Sequence, residues 1–177
     1  REEFPAGLFL FQQVYNGLKG KNSAAHICLF LGENFVTKRT CGGRRQKLEK
    51  RILILATTND FLMKFEQENV RILQEMGYQV HYAANLREPG YISDAGRIQA
   101  LGVTVHHIDI VRSPYLVREN HRAFRQLTSL VRRWHIQAIH CHTPVGGLLG
   151  RLAGASVPGN PVVVYTAHGF HFYQGAP

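Results

Sequence analysis

The chain has 177 residues, of which 45% are hydrophobic and 10% aromatic, and these values fit one folded domain with a sizeable core. Its net charge of +9 attracts anionic partners. However, no aromatic residues alternate with the basic ones as they do in single-strand binding surfaces, so nucleic acid is not an expected partner. Three widely spaced cysteines without a C-x-x-C motif suggest neither a disulfide framework nor a thiolate zinc site, and they favour a reducing, cytoplasmic setting.

Residues 1–50 differ from the rest of the chain. Their apolar patches at 7–11 and 27–31 have no clear period, and residues 38–47 form a basic segment interrupted by glycines. One interpretation is an arm that binds anionic lipid head groups at a membrane surface. The other is a poorly ordered extension outside any domain, which is preferred because no periodicity predicts a helix or strand. No apolar run approaches the roughly 20 residues of a membrane-spanning helix.

Regular elements begin at Arg51. The continuous apolar run over residues 51–57 is typical of a strand that is buried on both faces of a parallel sheet. Residues 57–60 offer capping side chains for a following helix, which Gly77 can end. The predicted apolar face of this helix comprises Leu62, Phe65, Ile72, Leu73 and Met76. A second strand is predicted over residues 79–84.

The remainder of the chain continues this alternation of helices and strands. A short helix over residues 93–102 precedes a third strand at 103–108, and an amphipathic helix with basic outer residues covers 119–135. A fourth strand at 138–142 leads into a glycine-spaced helix, and a fifth strand begins at Val162. The order βαβαβαβαβ predicts a Rossmann-like, doubly wound α/β domain over residues 51–177, with five parallel strands in the order 3-2-1-4-5.

In this strand order, the first and fourth strands are neighbours, and ligands collect at the carboxyl ends of such strands. His168 is the predicted catalytic residue, and the predicted substrate-binding residues are Asn59, Asp60, His142, Thr143, Gly146, Gly147 and Gly169. His168 is the best candidate for a functional role, because it ends an apolar strand and Gly169 allows a ligand to approach the backbone closely. As a neutral imidazole, His168 could donate a hydrogen bond to a sugar hydroxyl or a phosphate oxygen.

Glycines in the helix that follows the fourth strand have two explanations. Pro144 suits the start of this helix, and N–H groups around Gly146 and Gly147 would suit an anionic ligand. Function and packing explain these two glycines equally well, whereas packing is the preferred explanation for Gly150 and Gly154. A G-x-G-x-x-G fingerprint after the first strand and a P-loop are both missing, which argues against an ordinary NAD-binding domain and a P-loop NTPase.

Histidines are concentrated at the ends of the predicted strands. His140 and His142 are two residues apart in a strand and therefore share a face. Together with His168 and His171 they could bind zinc. However, neither segment contains Asp or Glu, so hydrogen-bonded structural histidines are preferred and no metal site is predicted. His106 and His107 are interpreted as surface or packing residues, because their neighbours supply no second polar group.

Four segments, taken in order, resemble the N-terminal half of a family 4 glycosyltransferase of the bacterial capsule and exopolysaccharide type. They are residues 51–57, 102–106, 139–147 and 165–172. The resemblance implies a GT-B architecture, in which two Rossmann-like domains face each other and hold mainly the acceptor and the nucleotide-sugar donor, respectively. It also implies transfer with retention of configuration and without a metal or other cofactor. His168 would lie near the donor sugar, and Gly169 would shape the same loop.

Two features depart from this family pattern. Many members have a Gly-Gly loop that contacts the donor phosphates where this chain has residues 57–60, and the chain ends at Pro177, before a second domain. The chain is therefore expected to be an acceptor-side domain that is inactive alone. The expected function is sugar transfer to a saccharide or lipid-linked acceptor in surface polysaccharide synthesis, in the cytoplasm or at the inner face of the membrane. The alternatives are an enzyme of the nucleotide-sugar epimerase type and a non-catalytic domain that binds a saccharide or a partner.

Overall fold

The computed structural model describes residues 11–12, 49–87 and 95–167. Its strands are β1 (Phe11–Gln12), β2 (Lys50–Thr58), β3 (Tyr78–Asn85), β4 (Thr104–His107), β5 (Ala138–His142) and β6 (Val162–Thr166). Its α-helices are α1 (Gln67–Glu75), α2 (Ala95–Ala100), α3 (Val117–Arg133) and α4 (Pro144–Ser156). A π-helical turn, Leu62–Glu66, directly precedes α1.

The strands form one parallel sheet in the order β1-β6-β5-β2-β3-β4. Apart from the two-residue β1, this is the predicted order, and the prediction of a doubly wound, Rossmann-like fold is confirmed. Within residues 1–50, the structure describes only β1, which pairs with β6, and residues 49–50. The predictions of a poorly ordered extension and of a lipid-binding arm concern the remaining residues of this segment, which lie outside the described residues.

Both faces of the central strand β2 are buried, which explains its continuous apolar run. Ile52 and Ile54 pack in one core layer with side chains of α1 and α2. Leu53 and Leu55 point to the opposite face and pack against α3 and α4. Successive side chains of a strand alternate between faces, so a strand with helices on both sides needs apolar residues throughout.

In the first helical segment, the side chains that face the core are not all those that the sequence predicts. A π-helical turn holds one more residue than an α-helical turn, so the side chains that follow it are rotated about the helix axis. Leu62 and Leu73 are buried as predicted, but Phe65 is 62% exposed and the prediction that it faces the core is wrong. Glu66, by contrast, is only 3% exposed. The polar residues 57–60 make no side-chain cap on the π-helical turn, contrary to the prediction.

The helix α4 begins where the sequence predicts and lies close to the sheet. Pro144 is its first residue, and the side chain of Thr143 caps it. A Cβ atom at Gly147 would come within 2.7 Å of the Tyr165 ring, and a Cβ at Gly150 would overlap the Sγ atom of Cys141. Close packing between helix and sheet therefore accounts for both glycines.

The histidines of β4 take part in polar contacts at the edge of the sheet. His106 Nε2 lies 2.9 Å from Nδ1 of His81, and the two rings are stacked. Burial, followed by the charges of His106 and Arg51, lowers the pKa of His81 to about 4, so this imidazole is neutral near pH 7. His107 Nε2 lies 3.0 Å from Oδ1 of Asp109, a polar partner that the sequence interpretation missed.

The longest helix of the described ranges, α3, has 17 residues and is amphipathic. Its buried face includes Ala123, Leu127 and Val131, whereas its arginines are exposed. None of the helices in the described part of the chain combines the length and the apolar composition needed to cross a membrane.

Candidate functional site

A cleft of about 550 Å³ opens at the carboxyl ends of β2 and β5. Its lining residues are Thr57, Thr58, Asp60, Phe61, Lys64, Phe65, Arg112, Thr143, Pro144 and Val145. Because β2 and β5 are adjacent and parallel, the loops that follow them meet at one edge of the sheet. The position of the cleft is therefore a direct consequence of the strand order.

Opposite charges lie next to each other on one wall of this cleft. Nζ of Lys64 lies 2.5 Å from Oδ2 of Asp60. Burial raises the pKa of Asp60, but hydrogen bonds with Lys64 and Thr58 and the charge of Lys64 outweigh it and hold that pKa below its ordinary value. Asp60 is thus ionised and can accept hydrogen bonds from hydroxyl groups of a ligand. Lys64 and Arg112 add positive charge suited to a phosphate.

Two aromatic side chains complete this wall. The ring centroids of Phe61 and Phe65 are 5.0 Å apart, and Phe65 is largely exposed to solvent. A flat apolar ring beside charged groups is a surface on which a nucleotide base or the apolar face of a sugar can stack. The cleft therefore combines charge with an apolar platform.

The backbone of Thr143 is strained at the mouth of the cleft. Its φ of 67° and ψ of 149° lie in a region that is normally restricted to glycine. A β-branched residue held in this region costs about 1–3 kcal/mol. Since such strain is concentrated at ligand-binding sites, it marks Thr143 as a functional candidate independently of the strand topology.

The N–H groups of Gly146 and Gly147 have partners inside the protein. The N–H of Gly146 donates to Oγ1 of Thr143 over 3.3 Å, and the N–H of Gly147 donates to the carbonyl oxygen of Thr143 over 2.9 Å. Both glycines are buried. Capping and packing therefore explain these positions, and the predicted contact of their N–H groups with an anion has no geometric support.

Two other predicted binding residues lie behind the wall of the cleft. Asn59 is fully buried, and neither its Nδ2 nor its Oδ1 atom has a hydrogen-bond partner among the described residues. His142 is also fully buried, and its ring lies 4.8 Å from that of Phe61. Neither residue lines the cleft itself. Their neighbours in the chain do, because Thr58 and Asp60 flank Asn59 and Thr143 follows His142.

A polar cluster surrounds His142 in the interior. Oε1 of Glu66 lies 3.7 Å from Nε2 of His142, and Oε2 of Glu66 lies 3.8 Å from Nδ1 of His140. Nε2 of His140 lies 2.8 Å from Oγ1 of Thr166, and Nδ2 of Asn69 donates to Oε2 of Glu66 over 2.7 Å. Burial raises the pKa of Glu66 to about 7, and the hydrogen bond from Asn69 opposes this shift.

The structure thus brings together some of the predicted site residues and adds others. Asp60 and Thr143 line the cleft, whereas His168 and Gly169 lie outside the described residues. The sequence interpretation did not predict that Lys64, Arg112 and the two phenylalanines line the cleft. For Lys64 a signal was available, because it follows Asp60 by four residues, the spacing of a helical ion pair.

A doubly wound parallel sheet with a polar cleft at the carboxyl ends of its central strands is the Rossmann-like architecture. Residues 51–177 match the family described as glycosyl transferase 4-like. The chain belongs to this glycosyltransferase family, as its four sequence segments indicated.

One relative and two solved structures illustrate the extent of the similarity. The chain is 36% identical over 132 residues to "Putative glycosyltransferase EpsD" of Bacillus subtilis (strain 168), and the match covers 73% of this chain and 32% of that protein. This chain therefore spans about one third of that relative's length.

The two solved structures are more distant. CalG4, the calicheamicin glycosyltransferase, is 17% identical, with a TM-score of 0.49 over 72% of this chain and 35% of that one. GalB, the 4-carboxy-2-hydroxymuconate hydratase of Pseudomonas putida KT2440, is 16% identical, with a TM-score of 0.47 over 64% of this chain and 62% of that one. Since both TM-scores lie below 0.5, neither likeness carries an argument about function.

Proposed function

We propose that the complete gene product is a retaining glycosyltransferase of GT-B architecture that acts in surface polysaccharide synthesis. It transfers a sugar from a nucleotide-sugar donor to a saccharide or lipid-linked acceptor, and this chain supplies the acceptor-side domain. The observation that carries the proposal is the family match over residues 51–177, which extends from the second residue of β2 through β6. The cleft at the carboxyl ends of β2 and β5 supports the proposal, because its charged and aromatic lining suits sugar and phosphate groups.

In this proposal each side chain of the cleft has a role in binding. The Asp60 carboxylate accepts hydrogen bonds from acceptor hydroxyls, while Lys64 and Arg112 attract the phosphate of a lipid diphosphate or of the donor. Phe65 packs against a sugar ring. His168, which follows β6, donates a hydrogen bond to the donor near the reacting sugar.

The reaction itself exchanges one bond at the anomeric carbon of the sugar. The bond from this carbon to the nucleotide diphosphate breaks, the acceptor oxygen forms a new bond to it, and the hydroxyl proton leaves with the departing phosphate. No metal ion takes part in this step. Cationic side chains and hydrogen-bond donors of the protein stabilise the negative charge that develops on the leaving group.

The direct test is an assay of the complete gene product with a panel of nucleotide sugars and polyprenyl-diphosphate saccharides. We expect one equivalent of nucleoside diphosphate per glycoside formed, retention of configuration by NMR, and no loss of rate with EDTA. Conversion of the nucleotide sugar without an acceptor would instead support the epimerase-type enzyme. Saccharide binding without any turnover would support a non-catalytic domain.

A peripheral contact with the membrane is the second part of the proposal. A groove of about 870 Å³ between β4 and α3 is lined by basic residues that include Arg118, His121, Arg122 and Arg125. The residues directly before Arg118 form an exposed apolar tip, in which Tyr115 is 89% and Val117 71% exposed. Basic residues next to exposed apolar ones are typical of surfaces that dock on anionic lipid, and we assign the positive charge to this role and not to nucleic acid.

The membrane contact predicts a dependence on lipid charge. Each basic residue near an anionic surface contributes about 1 kcal/mol, so the double variant Arg118→Glu/Arg125→Glu is expected to weaken binding to vesicles with 30% anionic lipid at least about tenfold. Vesicle co-sedimentation measures this effect. Arg71→Glu is the matched control, because Arg71 lies on α1 and pairs with Glu68. Equal binding of wild type and double variant, or equal binding to zwitterionic vesicles, would contradict the docking surface.

A further inference from the structure

We propose that Glu66, His140 and His142 together bind a divalent transition-metal ion, such as Zn²⁺, in the interior of the domain. The three side chains are 0–4% exposed, and one ligand atom from each lies within 4.8 Å of the other two. Two imidazole nitrogens and one carboxylate oxygen form a donor set typical of zinc and iron sites. The proposal is independent of the glycosyltransferase reaction.

The fold explains how these three residues converge. His140 and His142 are two apart on β5 and share one face of the sheet, while Cys141 between them points to the opposite face, where its Sγ lies against Gly150. Glu66 is the last residue of the π-helical turn, whose extra residue rotates it towards the core. A regular α-helix with the predicted apolar face would have buried Phe65 and not Glu66.

The distances are close to those of a metal site. Bonds of about 2.0–2.2 Å to nitrogen and oxygen place neighbouring ligands of a tetrahedral ion about 3.3–3.5 Å apart. Oε2 of Glu66 lies 3.8 Å from Nδ1 of His140 and Oε1 lies 3.7 Å from Nε2 of His142, and one ligand atom from each of the three residues lies within 4.8 Å of the others. Each side chain would therefore move inward by less than about 1 Å to coordinate an ion. A water molecule supplies the fourth ligand of such a three-residue site.

Outer hydrogen bonds orient two of the three ligands. Nε2 of His140 lies 2.8 Å from Oγ1 of Thr166, so a proton on Nε2 leaves the lone pair of Nδ1 directed at Glu66. Nδ2 of Asn69 holds Oε2 of Glu66. Partners of this kind fix the tautomer of a ligating histidine and the rotamer of a ligating carboxylate.

Electrostatics favour a cation at this position. A carboxylate this deeply buried is costly unless a cation compensates it. Across residues 49–87 and 95–167, the ion-pair partners of Glu66 are His140 and His142, and no lysine or arginine pairs with it. A divalent ion held by all three side chains would neutralise the carboxylate without protonating either imidazole. Its burial separates it from the cleft and gives it a structural role, the stabilisation of β5 against the π-helical turn.

The proposal is tested by loading the metal-free chain with Co²⁺ and with Zn²⁺. We expect one equivalent of tightly bound ion by mass spectrometry, visible d–d absorption of four-coordinate Co²⁺, and a rise in melting temperature of about 5 °C or more at saturating Zn²⁺. Glu66→Gln preserves the volume of the side chain but removes the anionic ligand. This variant and His140→Gln are each expected to weaken binding on the order of 100-fold.

Two controls separate the triad from other metal-binding side chains. His106→Asn disrupts the His81–His106 pair, and Glu68→Gln removes an exposed carboxylate of α1, so both variants should keep the Co²⁺ absorption. A wild-type chain without stoichiometric ion or d–d absorption would overturn the proposal, and so would unchanged affinity in Glu66→Gln. Because the wild-type spectrum is decisive by itself, a variant that fails to fold does not leave the proposal untested. No readout involves sugar transfer.

Discussion

A His168→Ala variant of the complete gene product is expected to lose sugar transfer by at least about 100-fold, the effect of removing one hydrogen-bond donor that stabilises a developing charge. The strand β6 ends at Thr166, which pairs with His142 at the carboxyl edge of the sheet, and His168 follows two residues later. The proposed role of its imidazole is a hydrogen bond to the donor near the reacting sugar. Initial rates at saturating donor and acceptor measure this effect directly.

The loss of sugar transfer should arise at the site, without any change in the fold. The melting temperature and the circular dichroism of His168→Ala are therefore expected to match those of the wild type within error. His135→Asn is the matched control, because His135 is exposed at the end of α3 and its positive φ of 49° suits asparagine. Normal turnover by His168→Ala would remove this residue from the proposed mechanism.

Replacing Gly150 by alanine is expected to destabilise the domain by about 3 kcal/mol, against the normal preference of helices for alanine. The added methyl group would overlap Sγ of Cys141 and come within 3.5 Å of Leu55. Cys141 and Leu55 are fully buried, so the methyl group cannot be accommodated without moving α4 away from the sheet. Urea unfolding measures the difference in free energy.

Two further variants show whether the overlap is the cause. Gly96→Ala places a methyl group in open space on α2 and is expected to leave stability unchanged or raise it by up to about 1 kcal/mol. Cys141→Ala removes the Sγ atom, so the double variant Cys141→Ala/Gly150→Ala should be less destabilised than the sum of the two single variants. Strict additivity would contradict the steric explanation.

The strand order could be predicted because each strand can be recognised from the pattern of its own short segment. The apolar run of β2 and the H-x-H strand β5 are separated by regular βα units, and right-handed crossovers then leave a single sensible arrangement. From this arrangement the cleft at the ends of β2 and β5 followed, with Asp60 and Thr143 in its lining. These features depend only on patterns within short segments and on the general rules of parallel sheets.

Other features depend on local geometry that no periodicity encodes. The π-helical turn reverses the burial of Phe65 and Glu66, and it brings Glu66 to two histidines more than seventy positions further along the chain. Because the segments around the histidines contain no Asp or Glu, local sequence patterns do not indicate a carboxylate beside them. The backbone strain at Thr143 was equally hidden, because nothing in the residue type favours a positive φ.

The position of β2 in the middle of the sheet has a consequence for the order in which the domain can fold. β2 pairs with β3 soon after both are made, but its other neighbour is β5, and the hydrogen bond from Arg51 to Gln137 joins residues 86 positions apart. During synthesis, one long apolar edge of β2 therefore stays unpaired until the segment 138–142 leaves the ribosome. Such distant pairing slows folding, and it leaves the nascent chain exposed to aggregation until the β2–β5 pair has formed.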